Sequence, residues 1–140
     1  MAVPDDSVQT LLALDIGEAR VGTALANTLA RIAHPSGALP RTEHIFDDIA
    51  ALCRREHVDT LILGLPRGMQ GQDTPQTAAA RAFGEMLAAR ISLPQVWQDE
   101  AVTSVRAEAE LQQRKKPYTK GDIDALAATY ILEDYLHAAV

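Results

Sequence analysis

The sequence has little of what marks several protein classes. It contains one cysteine, Cys53, which excludes an internal disulfide and a four-thiolate zinc site within the chain and fits a reducing compartment. No apolar run approaches the roughly 18 residues that a membrane-spanning helix needs. Residues 1–7 have neither the basic nor the apolar stretch of a secretory signal. These absences predict a cytoplasmic protein with no membrane contact.

Positive charge is also scarce. The chain has 13 Lys and Arg against 19 Asp and Glu, a net charge of −6, which argues against non-specific binding of nucleic acid over the whole surface. Basic residues nevertheless cluster between positions 114 and 120, and an acidic protein with one basic segment can still bind a polyanion there. This segment is therefore a candidate contact for nucleic acid.

The length and composition indicate a single globular domain. With 140 residues, of which 47% are hydrophobic and 23% charged, the chain has ordinary values for one folded unit. We expect one domain over residues 1–140, in which residues 1–9 form a flexible N-terminus.

Hydrophobic periodicity and turn residues predict an α/β fold. An antiparallel meander of three strands is followed by alternating strands and helices, which predicts a mixed five-stranded sheet with helices on both faces. Pro35 and Gly37 place the third strand at an edge. The helix that begins after Thr74 is expected to bury Phe83, Met86 and Leu87. The predicted strands span 10–15, 20–26, 32–40, 59–64 and 95–99, and the predicted helices span 44–57, 74–90, 103–113 and 121–137.

Acidic residues stand where strands end and where the last helix begins. Asp15 ends the first strand, the pair Asp99 and Glu100 ends the last strand, and Asp124 follows a capping box formed by Thr119 and Asp122. Each acid alone has an ordinary explanation as a turn or helix-start residue. Together they predict a site for Mg²⁺ or Mn²⁺, and two such ions could hydrolyse a phosphodiester. Neighbouring strand residues face opposite ways, so only one of the last-strand pair needs to face the site.

Several basic side chains could contact the phosphates of a nucleic acid, and the alternative for each is a solvated surface charge. The candidates are Arg20 after the first turn, Arg67 in a Gly- and Pro-rich loop, and Arg114, Lys115, Lys116 and Lys120. Tyr118 lies among the last four of these residues and could stack on a base.

Four ordered motifs, spread from Leu11 to Leu136, make a more specific pattern than any one acid. They are Leu14–Gly17 with Arg20–Gly22, Gly64–Pro66 with Met69–Gly71, Asp99–Glu100, and Asp124 with Ala127–Ala128. With these motifs the chain resembles the YqgF/RuvX family of bacterial Holliday-junction resolvase-like proteins and pre-16S ribosomal RNA nucleases.

The resemblance implies an RNase H-like fold and a metal-dependent endonuclease that acts on branched DNA or precursor ribosomal RNA. It implies catalysis by Asp15, Glu100 (or Asp99) and Asp124, with water as nucleophile and with 5′-phosphate and 3′-hydroxyl products. We favour Glu100 over Asp99. Symmetric cleavage of a four-way junction would require a homodimer, because two incisions need two sites.

The chain also departs from the family pattern. Ala101 replaces an arginine that suits bidentate phosphate contact, and Thr103–Ser104 replaces Thr-Thr, although both hydroxyls could still meet a phosphate. A fourth ligand would have to come from Asp99, Asp122 or water. Two rival functions follow: a non-catalytic nucleic-acid-binding protein of the same fold, and a nucleotide-binding phosphotransferase, for which the chain has room for only one lobe.

Overall fold

The computed structural model describes residues 7–100 and 103–138. Within them, five strands and four helices follow one another in an order that agrees with the sequence prediction. They are β1 (Thr10–Ile16), β2 (Arg20–Asn27), β3 (His34–Pro40), α1 (Ile45–Arg55), β4 (Thr60–Pro66), α2 (Pro75–Ala88), β5 (Gln95–Glu100), α3 (Thr103–Arg114) and α4 (Lys120–Ala138).

The strands form one mixed sheet in the order β3-β2-β1-β4-β5. The β1–β2 and β2–β3 pairs are antiparallel, whereas the β1–β4 and β4–β5 pairs are parallel. The predicted α/β class and mixed five-stranded sheet are therefore confirmed. The predicted edge position of β3 is also confirmed, and this outer strand carries Pro35 and Pro40.

The two faces of the sheet are covered by different helices because successive strand residues point to opposite sides. On one face, Leu12 and Leu14 pack in a cluster with residues of α1 and α2. On the other face, Leu11 and Ala13 pack against α4. Helix α3 packs on the outer side of α4, where Ala107 and other residues form a third cluster. The central strand β1 is thereby buried from both sides.

Local side-chain caps fix where α2 and α4 begin. At α2, the Thr74 hydroxyl accepts from the Thr77 N–H at 3.3 Å, and the Thr77 hydroxyl accepts from the Thr74 N–H at 2.9 Å. At α4, Asp122 accepts from the Thr119 N–H at 2.9 Å, while the Thr119 hydroxyl accepts from the Asp122 N–H at 3.1 Å. The predicted capping box is confirmed, and Asp122 is committed to the helix start.

One burial prediction is wrong. Phe83 and Leu87 are buried on α2, but Met86 has 55% of its surface exposed. The apolar stripe of α2 includes Ala80 and Thr77, and this turns position 86 toward solvent. Cys53 is buried in the core on α1.

Some predictions fall outside the described residues. Ala101 lies there, and so do residues 1–6 of the N-terminal segment 1–9. The flexibility of that segment therefore stays a prediction. Within residues 7–100 and 103–138, no helix is long and apolar enough to cross a membrane.

Candidate active site at the carboxyl ends of β1 and β5

Strand alternation places Asp15 and Glu100 on the same face of the sheet, at the end to which β1 and β5 run. The side chain of Asp15 lies on the same face as those of Leu11 and Ala13, which pack under α4, because side chains two residues apart in a strand share a face. By the same rule Glu100 lies on the face of Val96, which packs against the same cluster. Asp99 belongs to the opposite face, where its side chain is 70% exposed. The strand geometry thus separates the two neighbouring acids that the sequence left as alternatives.

Two glycines let α4 and the third acid approach this face closely. Gly22 pairs with Asp15 across the β1–β2 ladder, and a Cβ at Gly22 would collide with the backbone of Asp124. A Cβ at Gly64 would lie 2.5 Å from the Ile131 side chain and 3.1 Å from the carboxyl carbon of Glu100. The absence of side chains at these positions therefore creates the space that the helix and the Glu100 carboxylate use.

Asp124 has a cationic partner from the sheet. The Arg20 Nε donates to the Asp124 Oδ2 at 2.6 Å, and both side chains are largely shielded from solvent. Lys120, at the start of α4, lines a small cleft together with Arg20 and Asp124. Arg20 and Lys120, two of the predicted phosphate contacts, are therefore next to the acids.

The pKa of Asp15 is raised by its surroundings in the site. The pKa of Asp15 rises from 3.8 to about 8, mainly because the carboxyl is buried and then because Glu100 and Asp124 repel its negative charge. Asp15 is only 8% exposed, so water screens these charges weakly. The effect on the pKa shows that Asp15, Glu100 and Asp124 form one electrostatic cluster, although they come from three distant segments.

The donor set of this cluster suits a divalent cation, but its side chains are not in a coordinating arrangement. Carboxylate oxygens are the ligands that Mg²⁺ prefers, and a cation beside Asp15 would oppose the effects that raise its pKa. Within residues 7–100 and 103–138, however, no group of three or more acidic, histidine or cysteine side chains is close enough to hold a metal ion as they stand. Binding would therefore require the carboxylates to close together and Arg20 to release Asp124.

The remaining predicted nucleic-acid contacts lie in other surroundings. Arg67 pairs with Asp73, and its Nε lies 3.5 Å from the Oδ1 of Asp99, so this arginine braces the loop after β4. Arg114 pairs with Glu110 one helical turn earlier.

Within the basic segment, Arg114, Lys116 and Tyr118 line a different cleft from the one that Lys120 shares with Asp124. Lys115 adopts a left-handed backbone conformation (φ 55°) where α3 ends. Arg114 and Lys116 line a cleft with Tyr118 and Gly37, next to the edge strand β3. Thr103 and Ser104 belong to the first turn of α3.

Sequence reasoning missed a cleft beside Glu100. Its volume is about 530 Å³, and it lies between the β1–β2 turn, the end of β4 and the start of α2. Arg41 lines it, donates from Nη1 to the Gly17 carbonyl at 2.9 Å, and lies over the Phe83 ring. No motif marks Arg41, because the contacts that position it come from segments far apart in the chain.

Comparison with solved structures defines the class of protein as an RNase H-like fold of the kind found in RuvC-type resolvases. A chain of the Thermus thermophilus RuvC–Holliday junction complex matches with a TM-score of 0.57 and 13% identity, covering 94% of this chain and 97% of that one. The fowlpox virus Holliday junction resolvase matches with a TM-score of 0.56 and 16% identity, covering 93% and 99%. At these identities the likeness concerns the fold alone.

Sequence comparison gives the family. The protein-family model described as "RuvX: Holliday junction resolvase" matches residues 9–138, and the chain belongs to this family. A Chloroflexus aggregans protein named "Putative pre-16S rRNA nuclease" is 41% identical over 134 residues, covering 93% of this chain and 94% of the relative. A Burkholderia multivorans protein of the same name is 39% identical over 131 residues, covering 91% and 88%. The resemblance seen in the sequence motifs is thus confirmed.

Proposed function

We propose that this protein is a metal-dependent endonuclease that hydrolyses phosphodiester bonds in structured nucleic acid. The observation that carries the proposal is the electrostatic cluster of Asp15, Glu100 and Asp124, in which burial and repulsion raise the pKa of Asp15 to about 8. A buried acid held beside two others destabilises the fold when it ionises, and such an arrangement is typical of sites that bind cations. The nuclease and resolvase names of its relatives support the same chemistry.

Three residues would hold the cation, which we propose to be Mg²⁺ or Mn²⁺, in one or two sites: Asp15, Glu100 and Asp124. When bound, such ions polarise a phosphate and activate water. Asp15 would hold a cation in its carboxylate form, and its proton would pass to solvent, since an added positive charge favours the ionised carboxyl. Arg20 would exchange Asp124 for a phosphate oxygen of the substrate, and Lys120 would contact a neighbouring phosphate.

The relatives favour precursor ribosomal RNA as the substrate. The two relatives compared at 39–41% identity carry the pre-16S rRNA nuclease name, whereas the RuvC–junction structure shares only 13% identity. Branched DNA stays the alternative substrate, and a homodimer is expected only for that one. Thr103, Ser104, Arg114, Lys115 and Lys116 stay predicted contacts along the path of the nucleic acid.

A cleavage assay tests this function. Precursor RNA and a four-way DNA junction are incubated with the protein in Mn²⁺ or in EDTA. We expect cleavage only with metal, and its loss in Asp15→Asn, Glu100→Gln and Asp124→Asn. Asp99→Asn is the matched control, because Asp99 faces the other side of the sheet, and it should cleave like the wild type. Equal cleavage by wild type and Asp15→Asn would refute the assignment.

One observation favours a second candidate, a nucleic-acid-binding protein without catalysis. In the described residues the acids are not arranged to coordinate an ion, and Asp124 forms an ion pair with Arg20. This function predicts binding without cleavage in any divalent metal, with an affinity that falls as salt rises. Turnover that is abolished by Asp124→Asn would eliminate it.

A further inference from the structure

We propose that the cleft beside Glu100 receives one unpaired nucleobase of the substrate, next to the bond that is cut. The inference rests on the proposed nuclease function and adds a structural requirement to its substrate: at least one nucleotide outside a base pair at the cleavage site. The cleft of about 530 Å³ lies within the size range of small-molecule pockets.

The chemistry of the cleft matches that of a base. Its walls are aliphatic, formed by Ile16, Pro66 and Ala79, and such surfaces pack against the flat faces of a base. The polar residues among them are Gln76 and Arg41, together with the acids Glu18 and Glu100, so the cleft offers both donors and acceptors. A base has hydrogen-bonding groups only along its edge, so apolar walls with a few polar groups suit it better than they suit a phosphate or a sugar.

Internal bonds hold both sides of the cleft in place before any substrate binds. On one side, Arg41 donates one N–H to the Gly17 carbonyl and its guanidinium lies over the Phe83 ring. The other N–H groups of this guanidinium can then donate to a base. On the other side, the buried Thr77 hydroxyl donates to the Pro66 carbonyl and also caps α2. A preformed cleft loses little conformational entropy when it binds.

The position of the cleft ties the base to the reaction. Glu100 belongs both to the electrostatic cluster and to the lining of the cleft. The other lining residues, such as Ile16 and Ala79, lie on the α2 side of the sheet, at the same end of β1 that carries Asp15. A base in the cleft would therefore belong to a nucleotide beside the acids. A base within a duplex would first have to leave its stack, which costs a few kcal/mol, so an unpaired nucleotide is preferred.

The test measures affinity in EDTA, where no cleavage interferes. Fluorescent duplexes with a short single-stranded tail are made as RNA and as DNA, and the first unpaired position carries either a base or an abasic site. We expect the wild type to bind the tail with the base about tenfold more tightly, near the lower end of the range for a base stacked on an aromatic ring, because the walls of this cleft are aliphatic. The RNA and DNA arms show which sugar accompanies the base.

Variants then locate that preference. Ala79→Trp fills the cleft and should abolish it, whereas Ala78→Trp, at an exposed neighbouring position of α2 outside the lining, should retain it. Gln76→Ala, a smaller change at the cleft, should reduce the preference and serves if Ala79→Trp does not fold. Equal affinity of the wild type for base and abasic tails, or a preference that survives both Ala79→Trp and Gln76→Ala, would overturn the proposal.

Adding Mn²⁺ to the same complexes separates the two proposals. A base preference that depends on Ala79, without any cleavage, supports the cleft and counts against the nuclease function. Cleavage that depends on Asp15, without any base preference, does the reverse.

Discussion

Replacing Asp15 by Asn should stabilise the metal-free protein, and increasingly so as the pH rises. The pKa of Asp15 lies at about 8 in the folded protein against an ordinary value of 3.8, mainly because the carboxyl is buried and then because Glu100 and Asp124 repel its charge. Between these two pH values the native state holds one proton more than the unfolded chain. The free energy of unfolding of the wild type therefore falls as the pH rises through this interval.

The magnitude follows from the linkage relation. Each pH unit in the interval costs the wild type about 1.4 kcal/mol, so the penalty grows to about 4 kcal/mol between pH 4 and pH 7. Asn at position 15 keeps the size of the side chain but does not ionise, so Asp15→Asn avoids this penalty. The variant should lose activity while it gains stability, as expected where an active site is held at the expense of the fold.

Urea unfolding in EDTA at pH 5 and pH 7 measures the effect. We expect the stability difference between Asp15→Asn and wild type to grow by about 3 kcal/mol between these two pH values. Asp99→Asn is the control, since its exposed carboxylate should give the same small difference at both. If the difference for Asp15→Asn were equal at pH 5 and pH 7, the burial and repulsion deduced for Asp15 would be refuted. Added Mn²⁺ should stabilise the wild type and not the variant.

Three further substitutions test the packing around the site by urea unfolding at constant pH. Gly22→Ala should destabilise the protein by about 1–3 kcal/mol, because its Cβ forces α4 away at Asp124, and unchanged stability would show that the helix shifts freely. Thr77→Val should cost about 1–3 kcal/mol, since it leaves the Pro66 carbonyl without its hydroxyl donor, and a value near zero would deny that bond. Arg20→Met should lower stability by roughly 1 kcal/mol at neutral pH, an effect that 1 M salt should diminish if the ion pair causes it.

The sequence was sufficient for the sheet because its signals are local. Short apolar runs and turn residues located each strand, and the Thr119–Asp122 pattern located the start of α4. Strand alternation also predicted that only one of the two acids at the end of β5 needs to face the site. In the structure, that alternation places Glu100 on the face of Asp15 and Asp99 on the opposite face. Met86 was misassigned because an alanine-rich helix offers several apolar stripes with similar periodicity.

What the sequence could not provide depends on contacts between distant segments. The Arg20–Asp124 ion pair joins residues 104 positions apart, and the cleft beside Glu100 combines the β1–β2 turn with the start of α2. The pKa of Asp15 depends on how deeply α4 covers β1, which composition and spacing do not encode. Such features follow from tertiary packing between distant segments, so only the three-dimensional structure reveals them.

The prolines of β3 have a consequence for how copies of this molecule can meet. An outer strand normally offers a row of free N–H and C=O groups to which another chain can add, and this is the usual route to fibrils. Pro35 and Pro40 remove two of those donors, and the pairing of β3 with β2 shifts in register between Gly22 and Ala24. The margin of the sheet beside the basic segment is thus protected against strand addition, and crowded solutions of the protein should resist amyloid-type growth from that side.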